Sequence, residues 1–542
     1  MLIETDVLVI GCGIAGATAA LRLAQESQRQ VVVITRASNA QESNTRYAQG
    51  GIVGLGENDF PALLAQDILA AGAGLSLPST VGILAEEGPD LVQRLLIEKA
   101  GVEFDHDSDG RVLHGLEGGH SVPRVLHVGD ATGLAIQDAL LAQLRQLPNV
   151  TLYSSFTAVD LITSSHHARN PLAVYQPITC HGAYAFEREK GAVHRILARA
   201  TVLATGGLGR IYRYTTNPEG ARGDGQAMAY RAGARVVNAE YIQFHPTTLA
   251  VPGADNFLIS EAVRGEGGRL HTPDGRPFME RYAPGWGDLA PRDTVARAIH
   301  QEMITHGYPH VYLDLASHME ANRIRERFPT IYARCLEAGV DITAEPIPVV
   351  PAAHYSCGGV SVDEWGRTTI EGLYAVGEVS CTGIHGANRL ASTSLLEGLV
   401  WGDRAGRDIA RRDDLHLVPQ DEIPPWESVG DNAEADPALV YRDHRTIQHI
   451  MWLYVGLARN TRRLGRALND LNHLWEAIDQ FYRVTRLSDD LVGLHNMAQT
   501  AWVVTRAAWH NRQSRGAHFR EDAITDDAAS LSLGGAMDGP WV

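Results

Sequence analysis

The sequence predicts an α/β protein in three parts: a discontinuous, Rossmann-like nucleotide-binding domain, an inserted α+β capping domain and a C-terminal helical domain. Three observations support this prediction. A buried-strand pattern at 7–10 leads into the glycine run 11–16 and an alanine-rich helix pattern. Further strand patterns at 200–203 and 373–376 also end in glycine-rich turns. From residue 437 onward, apolar residues recur with the helical period.

The first glycine run has the spacing of a dinucleotide-binding turn. Gly-Cys-Gly-Ile-Ala-Gly at 11–16 lies between the strand Val7 to Ile10 and a helix, and a second buried strand follows at 31–35. This arrangement places a pyrophosphate at a helix N-terminus. A tight glycine turn without a ligand is the alternative. The acid expected about 20 residues further on is missing. Arg36 stands there, to hold a phosphate or sugar edge or to lie solvated at the strand end.

The segment from Gly377 to Ala391 is the richest in chemistry. It lies between a strand and a helix pattern, so backbone N–H groups and the helix dipole favour an anion there. It also contains Glu378, His385 and Arg389. Arginine is the residue type that grips a carboxylate with two parallel hydrogen bonds. The segment therefore predicts a place where a redox ring and an acidic substrate meet.

The domain boundaries follow from the order of these patterns. Residues 1–238 and 352–410 are predicted to form the nucleotide-binding domain, and 239–351 the capping, substrate-binding domain. Residues 411–436, rich in Asp, Glu and Pro, read as a linker. Residues 437–542 are predicted to be helical, with a loosely ordered Gly/Asp/Ala-rich end from 525.

Composition excludes several classes of function. The 542 residues have a net charge of -17, which opposes nucleic-acid binding and means that local Arg and His must attract an anionic substrate. Five scattered cysteines without a CxxC pair predict neither a metal cluster nor a disulfide framework, and favour a cytoplasmic protein. The N-terminus shows no basic leader, and no apolar run is long enough for a membrane span. We therefore expect no metal, nucleic-acid or membrane partner.

Seven short motifs are shared with a known group of enzymes. They are Ala-Gln-Gly-Gly at 48–51, Glu-Gly-Gly-His at 117–120, Ala-Thr-Gly-Gly at 204–207, Gln-Phe-His-Pro at 243–246, Ala-Pro-Arg-Asp at 290–293, Ala-Ala-His-Tyr at 352–355 and His-Gly-Ala-Asn-Arg at 385–389. With these, the chain from Val7 to Asp522 resembles the succinate dehydrogenase and fumarate reductase flavoprotein superfamily, and within it the L-aspartate oxidase family. The resemblance implies that the nucleotide-binding domain is an FAD-binding domain.

The glycine fingerprint and the resemblance together indicate which residues bind FAD. They are Gly11, Cys12, Gly13, Ile14, Ala15, Gly16, Arg36, Asn44, Thr45, Arg46, Tyr47, Ala48, Gln49, Gly50, Gly51, Asp224, Glu378, Ser394 and Leu395. Respiratory members carry, in place of Asn44, a histidine that bonds covalently to the flavin. Asparagine cannot form that bond, so FAD is expected to be non-covalent.

The resemblance also implies a substrate site. Its catalytic residues are Arg292, Glu117, His245, His354, Arg389 and Glu261, and its substrate-binding residues are Gln243, Ser260, His245, His354 and Arg389. Ser260 replaces a common threonine but keeps the hydroxyl. Glu117 is expected to pair with a substrate ammonium, because a buried unpaired cation is costly. Arg292 matches the family's acid or base, and because arginine has a pKa above about 12 it needs a neighbour such as Glu261 to relay the proton.

These residues predict FAD-dependent oxidation of L-aspartate to iminoaspartate, with dioxygen (giving hydrogen peroxide) or fumarate as acceptor, as the first step of de novo NAD biosynthesis. The quinolinate-forming enzyme that consumes iminoaspartate is the expected partner. Two alternatives stay open: a soluble fumarate reductase or succinate oxidase with non-covalent FAD, and a flavin-holding electron-transfer subunit. His245 and His354 as hydrogen-bonded core histidines, and Glu261, Arg264 and Glu266 as an ordinary ion-pair cluster, also stay open.

Overall fold

The computed structural model describes residues 1–254, 257–427 and 433–523. The predicted loosely ordered end, 525–542, lies outside the described residues, as does part of the predicted linker. The strands are β1 (Leu2–Ile10), β2 (Val31–Ile34), β3 (Ile52–Val53), β4 (His114–Gly115), β5 (Val125–Leu126), β6 (Val150–Tyr153), β7 (Phe156–Thr163), β8 (Cys180–Glu187), β9 (Ala192–Leu203), β10 (Val236–Val237), β11 (Ile242–Leu249), β12 (Arg269–His271), β13 (Val311–Asp314), β14 (Ile347–Ser356), β15 (Gly359–Ser361), β16 (Leu373–Ala375) and β17 (Ser380–Cys381).

The helices are α1 (Ile14–Glu26), α2 (Pro61–Ala71), α3 (Pro78–Leu91), α4 (Thr132–Leu144), α5 (Ser164–His167), α6 (Asp224–Arg231), α7 (Glu261–Gly265), α8 (Met279–Tyr282), α9 (Arg292–His306), α10 (Ala321–Arg327), α11 (Pro329–Glu337), α12 (Thr393–Arg411), α13 (Pro437–Tyr454), α14 (Thr461–Val484) and α15 (Asp489–His510). A π-helical segment, Val92–Lys99, continues α3. Short 3₁₀ turns lie at Thr45–Tyr47, Pro171–Tyr175, Gly209–Ile211, Gly287–Leu289 and Gly377–Val379.

The main sheet has the strand order β6-β2-β1-β9-β8-β7, and β16 also pairs with β9. The strands β6, β2, β1, β9 and β16 run parallel, whereas β7, β8 and β9 are joined antiparallel. Val7, Leu8 and Val9 are fully buried, which is typical of a parallel strand covered on both faces. Helices α1 and α12 pack so closely that a Cβ on Gly402 would lie 2.5 Å from the Ala15 carbonyl oxygen, which is why glycine is needed there.

The carboxyl ends of three parallel strands meet at one edge of this sheet. The Ala204 N–H donates to the carbonyl of Ile10 at 2.8 Å, and the Val376 N–H donates to the carbonyl of Leu203 at 2.9 Å. The glycine turns after β1, β9 and β16 therefore lie side by side, although they are distant in sequence. In an open parallel sheet this is the edge at which ligands bind.

The inserted region contains a four-stranded antiparallel sheet in the order β11-β14-β13-β12. Strands β11 and β14 are neighbours, with Phe244 opposite Ala353 and His245 opposite Ala352. Because β14 leads from the cap back into the nucleotide-binding domain, the cap sheet stands next to the ligand edge. This pairing brings the Gln-Phe-His-Pro and Ala-Ala-His-Tyr motifs together.

Helices α13, α14 and α15 form the C-terminal helical part. Ile447, Met451 and Val455, on the apolar stripe that the sequence indicates, are fully buried. Their cluster includes Tyr212 and Phe244, so the helices pack against the other two parts of the molecule. The predicted fold class is confirmed, whereas the residue limits of the domains stay predictions. In the described residues no helix is long and apolar enough to cross a membrane.

Candidate active site

One large cavity of about 1450 Å³ lies at the ligand edge of the main sheet and extends under the cap. This volume exceeds the 300–1,000 Å³ typical of a single small-molecule site and leaves room for two ligands. Nearly all the predicted residues line it: Gly11, Cys12, Gly13, Ile14, Ala15, Arg36, Asn44, Thr45, Arg46, Tyr47, Ala48, Gln49, Gly50, Gly51, Glu117, Asp224, His245, Ser260, Glu261, Arg292, His354, Glu378, Arg389, Ser394 and Leu395. Gly16 and Gln243 are the two exceptions.

The turn between β1 and α1 has the form of an anion site. Gly11 has a φ of +111°, and a Cβ there would lie 2.1 Å from the Ala204 carbonyl oxygen, so glycine is required. The Ile14 N–H donates to Thr45 Oγ1 at 3.0 Å, and Gly13 gives the first turn of α1 no side-chain cap. Open amides at a helix start suit a pyrophosphate. Gly16 lies behind the turn, where a Cβ would meet the Gly11 carbonyl at 2.1 Å, so it serves helix–strand packing rather than direct ligand contact.

Glu378 projects into the cavity from the turn after β16. Asn44 Nδ2 donates to its Oε2 at 2.7 Å, and the Ser356 N–H donates to its Oε1 at 3.1 Å. Burial raises the pKa of this carboxyl to about 7. Gly207 makes room for it, because a Cβ there would lie 2.1 Å from Oε1. A carboxyl held by an amide suits the hydroxyl groups of a sugar or ribityl chain.

The described residues that line this end of the cavity include no strongly activated thiol. Cys12 is the cysteine among the described lining residues, and burial raises its pKa to about 12, so the thiol stays protonated. Thiolate, not thiol, is the nucleophile of cysteine chemistry. Together with the amide of Asn44, which is not a nucleophile, this agrees with a flavin that is bound without a covalent link.

The predicted ribose or phosphate contact, Arg36, has a partner that the sequence did not suggest. Its Nη2 donates to Asp489 Oδ2 at 2.8 Å, and its Nε donates to both carboxylate oxygens at 3.1 Å. Arg222 joins Asp489 to Asp224, with Nη2 at 3.2 Å from Asp489 Oδ1 and 2.9 Å from Asp224 Oδ2. Arg36 is therefore not a solvated arginine, and the start of α15 holds this end of the cavity in place.

Under the cap, Glu261 and two arginines form a buried cluster. Arg292 Nε donates to Glu261 Oε2 at 2.5 Å, and Arg264 Nη2 lies 3.8 Å from the same oxygen. Burial alone would raise the pKa of Glu261, but Arg292 and Arg264 bring it down to about 2. Arg292 Nη1 has no hydrogen-bond partner and lies in the cavity wall. The sequence indicated Arg264 only as a member of an ordinary ion-pair cluster with Glu261 and Glu266, not as a site residue. Glu266 instead pairs with Arg323 and Arg327.

His245 and His354 face each other across the pair β11 and β14, with ring centroids 5.2 Å apart. The Thr247 N–H donates to His245 Nδ1 at 3.2 Å, and His354 Nδ1 lies 2.8 Å from Thr216 Oγ1, so in each neutral ring Nε2 can carry the N–H. Burial, followed by Arg292, lowers the pKa of His245 well below its usual value. Burial, followed by His245 and Arg389, does the same to the pKa of His354. Both rings are therefore neutral at physiological pH and can donate a hydrogen bond to an anion.

Arg389 is a buried cation without an acidic partner among the described residues. Its guanidinium contacts Ser394 Oγ and Gln243 Oε1, each at 3.2 Å, and its Nε has no hydrogen-bond partner. Burial and the nearby Arg292 lower its pKa. Gln243, predicted to bind substrate, is fully buried behind this arginine and donates to the Arg389 carbonyl at 2.8 Å. The structure therefore makes Gln243 a support for Arg389 rather than a cavity-lining residue.

Glu117 lies where the two ends of the cavity meet. Its Oε2 accepts a hydrogen bond from Ser392 Oγ at 2.6 Å, and its charge contributes to raising the pKa of Arg292, whose burial acts in the opposite direction. A Cβ on Gly50 would lie 2.3 Å from Oε1, so this glycine gives the carboxylate its space. Ser260 caps α7 through a contact of 3.3 Å from the Ala262 N–H and lines the cavity.

Comparison with known proteins agrees with this geometry. The family model "FAD binding domain" matches residues 6–395, and the model "Fumarate reductase flavoprotein C-term" matches residues 444–532. L-aspartate oxidase 1 of Ralstonia nicotianae is 46% identical, with 95% of each chain covered. L-aspartate oxidase of Pseudomonas aeruginosa is 44% identical over 96% of this chain and 95% of its own length. A solved quinol fumarate reductase structure from E. coli superposes with a TM-score of 0.88 at 28% identity, covering 98% of this chain and 94% of that chain.

The strand-end cavity, its glycine turn and these matches define an FAD-binding flavoprotein of the fumarate reductase and succinate dehydrogenase class. Within that class, the full-length identity places it more closely. The chain belongs to the L-aspartate oxidase family.

Proposed function

We propose that this chain oxidises L-aspartate to iminoaspartate with FAD, as the first step of de novo NAD biosynthesis. The observation that carries the proposal is the buried charge pattern next to the nucleotide end of the cavity. Three arginines (264, 292 and 389) stand against two glutamates (117 and 261), with two neutral histidines between them. A ligand with two carboxylates and one ammonium matches this pattern better than a plain dicarboxylate does.

The two carboxylates of the substrate are proposed to bind at opposite ends of the cluster. Arg389 and His354 hold one, and His245 with Ser260 holds the other, near Arg292. Arg389 supports this role because its guanidinium is buried and meets only neutral acceptors in the described chain. Each charge-assisted hydrogen bond contributes about 1.5–3 kcal/mol.

Glu117 is proposed to pair with the substrate ammonium. Its carboxylate stands between Gly50, in the predicted FAD-binding segment 44–51 (the flavin loop), and the charged cluster under the cap. An ammonium placed there brings the Cα–H bond towards the nucleotide end of the cavity. Fumarate and succinate have no ammonium, so they gain nothing from this carboxylate.

The reaction removes a hydride from the substrate Cα and a proton from its ammonium group, which together amount to two electrons and two protons. Bound FAD supplies the acceptor for the hydride that leaves Cα. Arg389, His245 and His354 fix the carbon skeleton, while Glu117 pairs with the ammonium and is the carboxylate placed to take the proton that the ammonium loses. The neutral rings of both histidines allow them to donate to carboxylates without adding positive charge. Orientation of this kind is a large part of catalysis.

For fumarate reduction a proton must also reach a substrate carbon, and Arg292 is proposed to place it there. Arginine alone is a poor acid or base. Here its Nε contacts Glu261, which also lies near Arg264, so a proton has a route along Arg292, Glu261 and Arg264. The cap, which contributes all three residues, excludes water and so strengthens each charge contact.

FAD is proposed to be bound without a covalent link, because Asn44 and the protonated Cys12 offer no nucleophile. Acid denaturation followed by filtration tests this directly. All yellow colour is expected in the filtrate. Colour retained on the precipitated protein contradicts the proposal.

Dioxygen, giving hydrogen peroxide, and fumarate, giving succinate, are the proposed electron acceptors. Iminoaspartate is a reactive imine, so the quinolinate-forming enzyme that consumes it is the proposed partner.

A cytoplasmic location is part of the proposal, because all five cysteines are buried and unpaired. In the described residues no group of acidic, His and Cys side chains is arranged to hold a metal.

One experiment separates this function from its rivals. Peroxide release by the purified protein is measured with L-aspartate, D-aspartate and succinate side by side. L-aspartate is expected to give by far the highest rate. A higher rate with succinate would favour the fumarate reductase or succinate oxidase alternative, and no turnover with any of the three would favour a flavin-holding subunit.

A further inference from the structure

Arg389 lies against the face of a buried tyrosine. Its guanidinium carbon is 4.5 Å from the centroid of the Tyr355 ring. Stacking on an aromatic face attracts a cation and restricts a planar guanidinium to one orientation. The other contacts of Arg389, with Ser394 and Gln243, are to neutral oxygens at 3.2 Å. The ring therefore restricts the direction in which the planar guanidinium of Arg389 points.

The hydroxyl of Tyr355 is held at its far end. It donates to Glu397 Oε2 at 2.8 Å, and His385 Nε2 lies 2.9 Å from the same oxygen. Thr382 Oγ1 donates to Glu397 Oε1 at 2.6 Å. Glu397 is 1% exposed, so three side chains hold one buried carboxylate in place. Nothing in the proposed reaction uses this carboxylate.

The protonation states of this network support a fixed geometry. Burial, followed by the charge of Glu397, raises the pKa of Tyr355 well above its usual value, so the phenol stays protonated and donates. Burial pushes the pKa of Glu397 upward, but His385 and the hydrogen bonds outweigh it, and the pKa is lowered. A phenol that donates to a carboxylate is polarised, which makes its ring more negative and its attraction for a cation stronger.

We propose that Tyr355 is a positioning residue for Arg389, held in turn by Glu397, Thr382 and His385. The inference rests on the proposed carboxylate grip of Arg389. It explains why His354 and Tyr355 are adjacent on β14. Both residues line the cavity: His354 stands beside the proposed substrate carboxylate, and the Tyr355 ring supports the arginine that grips it.

The test measures dicarboxylate binding to the FAD-loaded protein. Succinate is titrated and its dissociation constant is read from the change in flavin absorbance. Tyr355→Leu removes the ring and is expected to weaken succinate binding by about ten-fold. Tyr355→Phe keeps the ring and loses only the hydroxyl, so a smaller loss is expected. With L-aspartate, KM is expected to rise more than kcat falls.

Tyr374 provides a matched control. It is also a buried tyrosine whose hydroxyl donates to a carboxylate, Asp408 Oδ2, at 2.8 Å, but it does not line the cavity. Tyr374→Phe is expected to leave succinate binding unchanged. If Tyr374→Phe weakens succinate binding as much as Tyr355→Phe does, the effect is structural and the proposal is wrong.

A double-mutant cycle shows whether Tyr355 acts through Arg389. In an Arg389→Leu background, Tyr355→Leu is expected to have almost no further effect on succinate binding, because the two residues act as one unit. Equal effects in both backgrounds would overturn the proposal. Unchanged binding of succinate in Tyr355→Leu would do the same.

If Tyr355→Leu does not fold, Glu397→Gln takes its place. Weaker succinate binding is expected in that variant, and unchanged binding would contradict the proposal. Failure of the wild-type protein itself to bind succinate would instead refute the carboxylate grip.

Discussion

The nucleotide end of the cavity is formed mainly by backbone and small residues, whereas its dicarboxylate end is formed mainly by long polar side chains. The nucleotide end consists of glycine turns after β1, β9 and β16, in which backbone amides and small residues leave space for a ligand. The dicarboxylate end consists of charged side chains from α7, α9 and the segment before α12, together with neutral histidines from β11 and β14. Each of these side chains is buried among others of its kind.

The difference determines how each end responds to substitution. At the nucleotide end, a glycine position such as Gly11 tolerates no Cβ. A polar side chain there is one of several groups, most of them backbone amides, that are expected to contact the ligand. At the dicarboxylate end, Glu261 pairs with Arg292 and Arg264, so replacing Glu261 leaves two buried arginines without their carboxylate. Arg389 already lacks an acidic partner among the described residues. Leaving such a group unpaired is costly. We therefore expect large, substrate-specific losses at the dicarboxylate end and small, general losses at the nucleotide end.

The largest effect is expected for Arg292→Leu. The side chain that places the proton is lost and Glu261 loses its closest cation, so fumarate reduction should fall by roughly 10²–10⁴-fold. The protein should stay folded and yellow. Arg276→Leu, at an exposed arginine of the cap that pairs with Asp274, is the control and should retain activity. Unchanged fumarate reduction in Arg292→Leu would remove this arginine from the mechanism.

Arg389→Leu should lower L-aspartate turnover by tens-fold or more, and weaken succinate binding as well. About 1.5–3 kcal/mol is lost with each charge-assisted contact, and two contacts are removed together. Arg389→Lys keeps the charge but not the planar fork, so it should recover only part of the loss. Steady-state kinetics and succinate titration measure both effects. Near-normal kinetics in the leucine variant would show that another residue holds the carboxylate.

Glu117→Gln tests the substrate selection within the dicarboxylate end. It keeps the shape of the side chain and removes its charge, so oxidation of L-aspartate should fall by about ten-fold. Fumarate reduction should fall much less, because fumarate has no ammonium. Measuring both reactions on one preparation controls for misfolding. An equal loss in both would mean that Glu117 only supports Ser392 and the flavin loop.

The smallest effect is expected at the nucleotide end, for Glu378→Gln in protein stripped of FAD. The pKa of Glu378 is raised from 4.5 to about 7. Between those pH values the native state keeps a proton that the unfolded state has lost, so the wild type loses stability as pH rises through this window. The glutamine variant lacks this loss. Its Tm relative to the wild type should therefore increase by a few degrees from pH 5 to pH 8. A Tm difference that does not change with pH would contradict the shifted pKa.

The sequence predicted the two ends of the cavity to different depths. The turn at Gly11 and the segment around Glu378 were recognisable because strand, glycine and helix signals occur within a few residues of each other. Gln243 was assigned to substrate, yet it lies behind Arg389. Its spacing of two from His245 predicts a shared face of β11, but the register shift between Gln243 and Phe244 interrupts that alternation. Asp489 was not predicted at all, because its partners Arg36 and Arg222 are hundreds of residues away.

By itself, then, the sequence determined the fold class, the FAD-binding turn and the family, because these depend on local patterns of period, glycine and motif. Only the tertiary structure decided how the charged groups pair: Arg292 with Glu261, Arg36 with Asp489, and Arg389 on Tyr355. Pairing and burial depend on distances between distant segments. The pKa values that follow, neutral for His245 and His354 and ionised for Glu261, arise from that burial and those neighbours.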